Sequence, residues 1–281
     1  MKILVTGGNG FIGSNLIKRL IQEEHHVHSL DNLSTGAKLN EVNGCHYHYG
    51  EVENIDSMDK DFDVIFHLAA LARIQASFEF PHKTFTSNVV STEAVVEFAK
   101  KIKAKLIYAG SSSKWHDPTQ SPYAMSKYLG EELVKMYRKS FGIKAQIARF
   151  YNVYGPNEIL EGDYAAVIGI WRRQIRDNQP ITIVGDGEQR RDFTHVSDIV
   201  DGLYKIMLSE HYHDDAWELG TGTNYSINEV YNMFFNKFKV SKINLPDQPG
   251  NYRVTLREHD DALNKLNWTP TDQLKKYINS L

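Results

Sequence analysis

The sequence of 281 residues contains a single cysteine, Cys45, and no long apolar run. One cysteine excludes an intrachain disulfide and a thiolate-ligated metal cluster, and it fits a reducing compartment. No apolar segment approaches the ~20 residues that a membrane-spanning helix needs. Because the chain opens directly on a strand-like segment, we expect no targeting segment and a cytoplasmic protein.

The sequence also lacks a strong excess of charge, with a formal net charge of −3. It therefore gives no reason to expect nucleic acid or another polyanion as a partner. There are twelve histidines, but those at 25, 26, 28, 46 and 48 lie near predicted strand edges without a metal-binding spacing. We expect solvated or packed histidines and no metal site. A hydrophobic content of 41% and a charged content of 24% are typical of a soluble globular enzyme.

The strongest motif present is a glycine-rich turn near the amino terminus. A strand-like run ends at Thr6, Gly7, Gly10 and Gly13 follow, and a helical spacing covers residues 11–23. This context predicts a tight turn whose backbone approaches a pyrophosphate, which a Cβ would block. The start of the helix would face the anion with free N–H groups. The alternative is a glycine turn between two ordinary elements.

A second strand-like run, residues 27–30, leads to Asp31, about 20 residues beyond the glycines, where a dinucleotide fold places an acid on the adenosine ribose. No arginine closely follows Asp31. Its carboxylate would repel a 2′-phosphate and accept a hydrogen bond from a free 2′-hydroxyl, so the sequence favours NAD over NADP.

Strands and helices then alternate, with predicted strands at 45–49, 63–67 and 105–109 and a predicted helix at 85–103. Such alternation indicates a doubly wound parallel sheet with helices on both faces, joined by right-handed crossovers. The strand ends then supply further expected cofactor contacts. These are Asn32, Leu33, Ser34, Thr35, Gly36, Glu51, Val52, Leu68, Ala69 and Ala70. The small residues after His67 have an alternative explanation, close packing of strand on helix.

Candidate catalytic residues lie on either side of residues 112–122. Ser111 lies just beyond the carboxyl end of the strand at 105–109. Tyr123 and Lys127 follow Pro122, which suits the first turn of a helix. The tyrosine and lysine then share one helical face at i and i+4. An ammonium beside a phenol, whose pKa is ordinarily ~10, favours the phenolate and makes tyrosine a usable base.

Taken together, these motifs resemble the extended short-chain dehydrogenase/reductase family, in particular its branch of NAD-dependent nucleotide-sugar epimerases and dehydratases. The matching stretches span nearly the whole chain in the order of the family. They are residues 6–13, 31–36, 67–70, 87–89, 123–127, 149–156 and 185–198.

The resemblance implies a Rossmann-type NAD-binding domain at residues 1–156 and a smaller α/β nucleotide-sugar-binding region at 157–281 that interleaves with it. It implies Tyr123 as the base, Lys127 as its tuner and a ribose ligand, and Ser111 as a hydrogen-bond partner of the sugar hydroxyl. It further implies cofactor contacts from Phe11, Ile12, Asn88, Ala109 and Tyr151, and substrate contacts from Ser112, Asn152 and Arg191. Arginine suits a diphosphate because its planar fork satisfies two oxygens.

Three departures from the family pattern stand out. Trp115 and His116 replace a tyrosine and a glycine, ahead of a shortened loop, which predicts an altered pocket wall near the sugar. Gln248 replaces an arginine expected to contact phosphate, and Arg253 is a candidate substitute. Ser112 and Ser113 stand where 4,6-dehydratases carry Asp-Glu, which counts against dehydration because that reaction needs an additional acid and base.

We therefore expect NAD-dependent C4 epimerisation of a UDP-hexose through a transient 4-keto sugar. The alternatives are a nucleotide-sugar reductase, dehydratase or decarboxylase of the same fold, or a catalytically silent dinucleotide-binding protein. We also expect a homodimer that pairs the helices at 85–103 and 122–141, although their second apolar faces could equally cover the sheet. In the second region the pattern predicts helices at 165–177, 195–208, 227–238 and 274–278 and a strand at 181–184.

Overall fold

The computed structural model describes all residues 1–281 and contains thirteen strands and ten α-helices, besides short 3₁₀ and π-helical turns. The strands are β1 (Lys2–Thr6), β2 (His26–Asp31), β3 (Cys45–Tyr49), β4 (Val64–His67), β5 (Lys105–Ser111), β6 (Ala145–Phe150), β7 (Val153–Tyr154), β8 (Ile181–Val184), β9 (Arg190–Asp192), β10 (Thr194–His195), β11 (Trp217–Leu219), β12 (Asn224–Ser226) and β13 (Lys242–Leu245). The helices are α1 (Phe11–Gln22), α2 (Ile74–Glu79), α3 (Pro81–Phe85), α4 (Ser91–Ile102), α5 (Pro122–Phe141), α6 (Val167–Arg176), α7 (Val196–Leu208), α8 (Ile227–Phe238), α9 (Asp261–Leu266) and α10 (Leu274–Ser280).

Seven strands form one parallel sheet in the order β3-β2-β1-β4-β5-β6-β11. Helices cover both faces. On one face, α1 and α7 bury residues such as Leu16 and Leu203, and on the other, α4 and α5 bury residues such as Val96 and Val134. The doubly wound α/β fold predicted from the alternating pattern is confirmed. No helix is both long enough and apolar enough to cross a membrane.

The second region of the chain builds two two-stranded sheets, β9 with β12 and β8 with β13, and its own core around Trp171 and Phe234. Its strand β10 pairs with β7 of the first region. It also returns to the main sheet, where β11 pairs with β6 through Trp217 and Ala148. Helix α7 of this region packs beside α1. The two regions therefore share a sheet and a core.

Two of the differences from the pattern-based prediction concern the main sheet and the helices that cover it. The helix expected at 85–103 consists of α3, a π-helical turn over Thr86–Val90 and α4, so it starts earlier and carries an inserted residue. Strand β6 was not predicted, because the buried polar residues Gln146 and Arg149 interrupt its apolar pattern. Gln146 accepts from Trp217 Nε1 at 2.7 Å and Arg149 pairs with Glu131, so both polar groups are satisfied inside the protein.

Candidate active site

The glycine-rich turn between β1 and α1 has the geometry that its spacing predicts. Gly7 has φ = +73°, and a Cβ there would lie 2.7 Å from the backbone nitrogen of Ala69. The Gly10 N–H donates to the Gly7 carbonyl at 3.1 Å, and a Cβ on Gly13 would overlap that same oxygen. The turn therefore keeps the start of α1 open to an anionic group.

Asp31 closes β2 beside this turn and is only 6% exposed. Its two carboxylate oxygens accept the N–H groups of Asn9 at 2.9 Å and Leu33 at 2.8 Å. Burial raises the pKa of Asp31. Each oxygen retains a second lone pair, so the carboxylate can accept ribose hydroxyls. The turn and this acid together fit the diphosphate and ribose of a dinucleotide.

A cavity of about 730 Å³ runs from this turn across the carboxyl ends of the strands to the second region. Its walls contain most of the residues predicted to hold the cofactor. These are Gly7, Gly10, Phe11, Ile12, Gly13, Asp31, Asn32, Ser34, Thr35, Glu51, Val52, Leu68, Ala69, Ala70, Ala109, Tyr123, Lys127 and Tyr151. The predicted substrate residues Ser111, Ser112, Asn152 and Arg191 line the same cavity.

Three predicted cofactor residues lie outside the cavity wall. Leu33 has φ = +59° and contributes its N–H to Asp31, which supports the acid from behind. A Cβ on Gly36 would lie 2.9 Å from the backbone of Asn9, so this glycine packs against the turn. The buried Asn88 amide bonds the backbone of Leu71 and the hydroxyl of Ser126. The structure thus gives these three residues supporting positions behind the cavity wall, and their direct contact with the cofactor stays a prediction.

Tyr123 and Lys127 lie one turn apart on α5, whose start is fixed by Pro122 and by the Ser121 hydroxyl, which accepts from Ala124 N at 3.0 Å. The Tyr123 hydroxyl donates to Ser111 Oγ at 3.3 Å. Lys127 Nζ donates to the Ala109 carbonyl at 2.5 Å. The structure thus brings the three predicted catalytic residues together at the end of β5.

The charges around this group differ from the simple tyrosine–lysine pair expected from the sequence. Burial lowers the pKa of Lys127 to about 8. Burial raises the pKa of Tyr123, while the Ser111 hydrogen bond and the charge of Arg73 lower it. Arg73 is therefore the cation whose charge acts on the phenol, and sequence reasoning did not identify it. A charged residue directly after the small residues 68–72 was the available signal.

Beneath the catalytic group lies a buried ion-pair network. Glu131, one turn beyond Lys127 on α5, accepts the Ser111 N–H at 3.3 Å and pairs with Arg149 of β6 at 2.7 Å. Arg149 also pairs with Asp215 at 2.5 Å. Glu131 and Arg149 are almost completely buried. This network joins the backbone of Ser111 to β6 and to the second region.

The predicted diphosphate residues occupy the opposite wall. Asn152 donates to Thr255 Oγ1 at 2.9 Å, and Arg191 donates to the Arg190 carbonyl at 2.9 Å and to Asn251 Oδ1 at 2.7 Å. Burial lowers the pKa of Arg191 to about 10. No carboxylate lies within ion-pair distance of Arg191, so its positive charge remains available to an anion.

The departures from the family pattern meet at one place. Trp115 turns away from the cavity and donates Nε1 to Glu218 at 2.8 Å. His116 stacks on Tyr252 with 3.8 Å between ring centroids, and Tyr252 lines the cavity. The wall is therefore altered through Tyr252 rather than by direct contact with Trp115 or His116. Sequence reasoning missed Tyr252.

Gln248 lines the cavity in place of the expected arginine, but Arg253 does not. The Arg253 side chain is largely exposed and pairs with Asp186 at 2.9 Å. Its suggested role as a substitute phosphate contact is therefore wrong.

Comparison with known proteins gives consistent matches. The sequence profile of the NAD dependent epimerase/dehydratase family matches residues 3–220. A protein from Methanocaldococcus jannaschii with a provisional UDP-glucose 4-epimerase name is 33% identical, over 98% of this chain and 95% of the relative.

Solved structures agree. A UDP-glucose 4-epimerase with UDP-glucose from Thermotoga maritima superposes with a TM-score of 0.91 at 27% identity, over 99% of this chain and 96% of that chain. A UDP-glucuronic acid 4-epimerase from Bacillus cereus, in complex with UDP-glucuronic acid and NAD, gives a TM-score of 0.89 at 28% identity, over 99% of this chain and 96% of that chain.

Proposed function

Because this chain belongs to the NAD dependent epimerase/dehydratase family, we propose that it is an NAD-dependent epimerase that inverts C4 of a UDP-hexose. The observation that carries the proposal is the contact between Tyr123 and Ser111, 3.3 Å apart, midway along a cavity that joins Asp31 to Arg191. The glycine turn and Asp31 would form the binding site of the dinucleotide. Arg191 and Asn152 would bind the diphosphate of the substrate.

The residues of this chain then divide the work. Tyr123 takes the proton of the C4 hydroxyl, while the Ser111 hydroxyl holds the same sugar oxygen. Arg73 and Lys127 stabilise the phenolate that must form before that step. NAD, which the glycine turn and Asp31 would hold, would supply the removal of a hydride from C4 of the sugar and its return to the other face. Tyr123 gives the proton back to the C4 oxygen, so the reaction is balanced without a second substrate.

Dehydration is less well supported than epimerisation. The positions after Ser111 carry hydroxyls, and Ser113 Oγ donates to Ser111 Oγ at 3.0 Å. Elimination of water across C5 and C6 needs an additional acid and base, and neither Ser112 nor Ser113 supplies a carboxyl group.

The test is incubation of the purified protein with UDP-, GDP- and dTDP-sugars without added cofactor, with products separated by chromatography. We expect interconversion of two C4 stereoisomers of a UDP-sugar. Tyr123→Phe should lower turnover by about 10²- to 10⁴-fold, the range for loss of a general base, and should bind the nucleotide sugar as before. Net NADH formation, loss of water or loss of CO₂ would overturn the epimerase assignment. Binding of dinucleotide with no turnover of any sugar would indicate a sensor.

We also propose that the protein forms a homodimer through α4 and α5. One stripe of α5 exposes apolar side chains, with Leu129 at 38% and Met136 at 43% exposure, and Val90 before α4 is also exposed. Such a stripe on a helix that also covers the sheet suits a second helix partner. Sedimentation at micromolar concentration should show a dimer that Leu129→Glu dissociates. A monomeric wild type would remove the proposal.

Finally, we propose a cytoplasmic location. The single cysteine, Cys45, cannot form an intrachain disulfide, which fits a reducing compartment. Cell fractionation tests this placement, and recovery of the protein outside the cytoplasm would contradict it.

A further inference from the structure

Eight of the eleven arginines of this protein form ion pairs with carboxylates, and three do not. The three are Arg73, Arg138 and Arg191. Arg138 lies outside the cavity and donates to backbone carbonyls of residues 213 and 214. Arg73 and Arg191 both line the cavity. Both side chains are partly buried. Holding a cation out of water without an anion is costly, so each of these two side chains indicates a ligand of opposite charge.

Arg73 is held in place but not neutralised. It immediately precedes α2, in extended backbone conformation, and one of its N–H groups donates to the Ala165 carbonyl of the second region. Burial lowers the pKa of Arg73 to about 10, which still leaves it charged at neutral pH. A guanidinium has five N–H donors. The remaining donors are available to a ligand in the cavity.

The two cavity arginines serve different parts of the ligand. Arg191 lies with Asn152 on the wall proposed for the diphosphate. Arg73 instead lies one helical turn before Ser77, because its carbonyl accepts the Ser77 N–H at 3.2 Å, and Ser77 Oγ accepts the Tyr123 N–H at 3.1 Å. Arg73 and Tyr123 both line this part of the cavity, and the charge of Arg73 lowers the pKa of the Tyr123 hydroxyl, the group proposed to meet C4 of the sugar. In a pyranose, C1 carries the diphosphate and C4 lies across the ring, next to C5 and its C6 substituent. A cation beside Tyr123 is therefore close to C6 and distant from the phosphates.

We propose that Arg73 pairs with a carboxylate at C6 of the sugar, so that the preferred substrate is a UDP-hexuronate rather than a neutral UDP-hexose. The proposal rests on the proposed function and names the sugar class for the same site. A planar guanidinium matches a carboxylate through two parallel N–H···O bonds, whereas a hydroxymethyl group would leave most of the charge unmatched.

The first test measures binding, so that it does not depend on turnover. Calorimetry on the NAD-loaded Tyr123→Phe protein compares UDP-glucuronate with UDP-glucose. We expect UDP-glucuronate to bind at least about 10-fold more tightly, since a charge-assisted bond is worth 10- to 100-fold in affinity. Adding the Arg73→Gln substitution should remove that preference. The affinity for UDP-glucose should change by no more than about 3-fold. Equal affinity for the two sugars in the parent protein, or an equal loss for both in the variant, would overturn the proposal.

Two further variants make the result specific. Arg138→Gln removes the other arginine without a carboxylate partner, outside the cavity, and should leave both affinities unchanged. Arg73→Lys keeps the charge without the planar fork and should retain part of the preference. A thermal unfolding curve checks that each variant is folded. If Arg73→Gln is unfolded, the Arg73→Lys variant becomes the test. An unchanged preference of that variant for UDP-glucuronate over UDP-glucose would then count against the pairing.

Kinetics of the otherwise wild-type enzyme separate the two levels of the proposal. Arg73 could act only by lowering the pKa of Tyr123. In that case Arg73→Gln will shift the pH profile of kcat to the same extent for both sugars and leave both KM values unchanged, and this result would contradict the carboxylate pairing. If UDP-glucose is epimerised more efficiently than UDP-glucuronate, the proposed function stands and this inference falls. If UDP-glucuronate binds preferentially but no sugar is converted, the epimerase assignment falls and the pairing stands.

Discussion

The two ends of the cavity satisfy their polar groups in opposite ways. At the dinucleotide end, Asp31 accepts two backbone N–H groups and the Gly10 N–H meets the Gly7 carbonyl. At the sugar end, the Arg73 guanidinium has no carboxylate partner, and the Tyr252 hydroxyl is buried without a hydrogen-bond partner. These groups of the first end are already paired within the protein, whereas those of the second end lack a partner until a ligand binds.

This difference has an energetic consequence. A buried polar group that is paired in the free protein stabilises the fold, and its removal costs stability. A buried polar group that waits for a ligand destabilises the free protein, and its removal should relieve that cost. The dinucleotide end should therefore lose stability and binding together when mutated. The sugar end should lose binding while stability is maintained or rises.

The largest expected effect is at the dinucleotide end, from Gly7→Ala. The new Cβ meets the backbone of Ala69 at 2.7 Å and Gly7 has φ = +73°, so the turn must deform. We expect a stability loss of about 2–3 kcal/mol and at least a ~100-fold loss in NAD affinity, measured by denaturant unfolding and calorimetry. The matched control is Gly142→Ala. Gly142 also has a positive φ, +65°, but no atom lies within 4 Å of the Cβ that alanine would add. If both variants bind NAD equally poorly, the close approach at Gly7 is not the cause.

A smaller effect at the same end is expected from Asp31→Asn. The amide can accept only one of the two N–H groups that Asp31 now accepts. Stability should fall by about 1–2 kcal/mol, and NAD affinity should fall by about 10-fold or more. Because the repulsion of a 2′-phosphate disappears, the preference for NAD over NADP should narrow. Titration with both dinucleotides measures this, and an unchanged ratio would remove Asp31 as the selecting residue.

Lys127 lies where the two ends meet, and its stability effect should depend on pH. Burial lowers its pKa to about 8, below the ordinary lysine value of 10.5. Between these values the unfolded chain binds more protons than the folded one, so stability rises with pH there. The cost of the buried charge is complete below pH 8 and is relieved as the pH approaches 10.5.

Lys127→Met should therefore be more stable than the wild type near pH 7, by about 1–3 kcal/mol. That advantage should shrink between pH 8 and 10.5. Urea unfolding at a series of pH values measures the difference, with Lys139→Met on the same helix as the control. A difference that grows with pH would contradict the buried charge.

The smallest expected effect is at the sugar end, from Tyr252→Phe. The hydroxyl is lost but the stack on His116 remains. We expect the free protein to gain about 1 kcal/mol and the KM for the nucleotide sugar to rise about 2- to 10-fold. Tyr151→Phe is the contrasting variant, since the Tyr151 hydroxyl donates to Glu218 at 2.9 Å and its loss should destabilise. Equal destabilisation by both variants would show that the two hydroxyls are equally satisfied.

The dinucleotide end could be predicted from the sequence because its determinants lie within one continuous stretch. Strand, glycine turn and helix follow each other in residues 2–22, and Asp31 ends the next strand. Tyr123 and Lys127 could be predicted for the same reason, because they lie one helical turn apart in one continuous segment. The parallel sheet also followed from local alternation.

Part of the sugar end could not be predicted, because tertiary packing assembles it from distant segments. Arg73 meets Ala165 from the second region, and Tyr252 meets His116. Strand β6 was hidden for a related reason. Its Arg149 is acceptable in a buried strand only because Glu131 and Asp215, from other parts of the chain, surround it. Single-sequence patterns do not show such partners.

The late addition of β11 to the sheet affects how this chain is made. Until residues 217–219 have left the ribosome, β6 has an open edge, with buried side chains such as Ile147 and Ala148. An unpaired edge strand is a template for association with other chains. The nascent protein consequently remains vulnerable to aggregation until three quarters of it has been synthesised, and a fragment that ends at residue 156 would keep that vulnerability permanently.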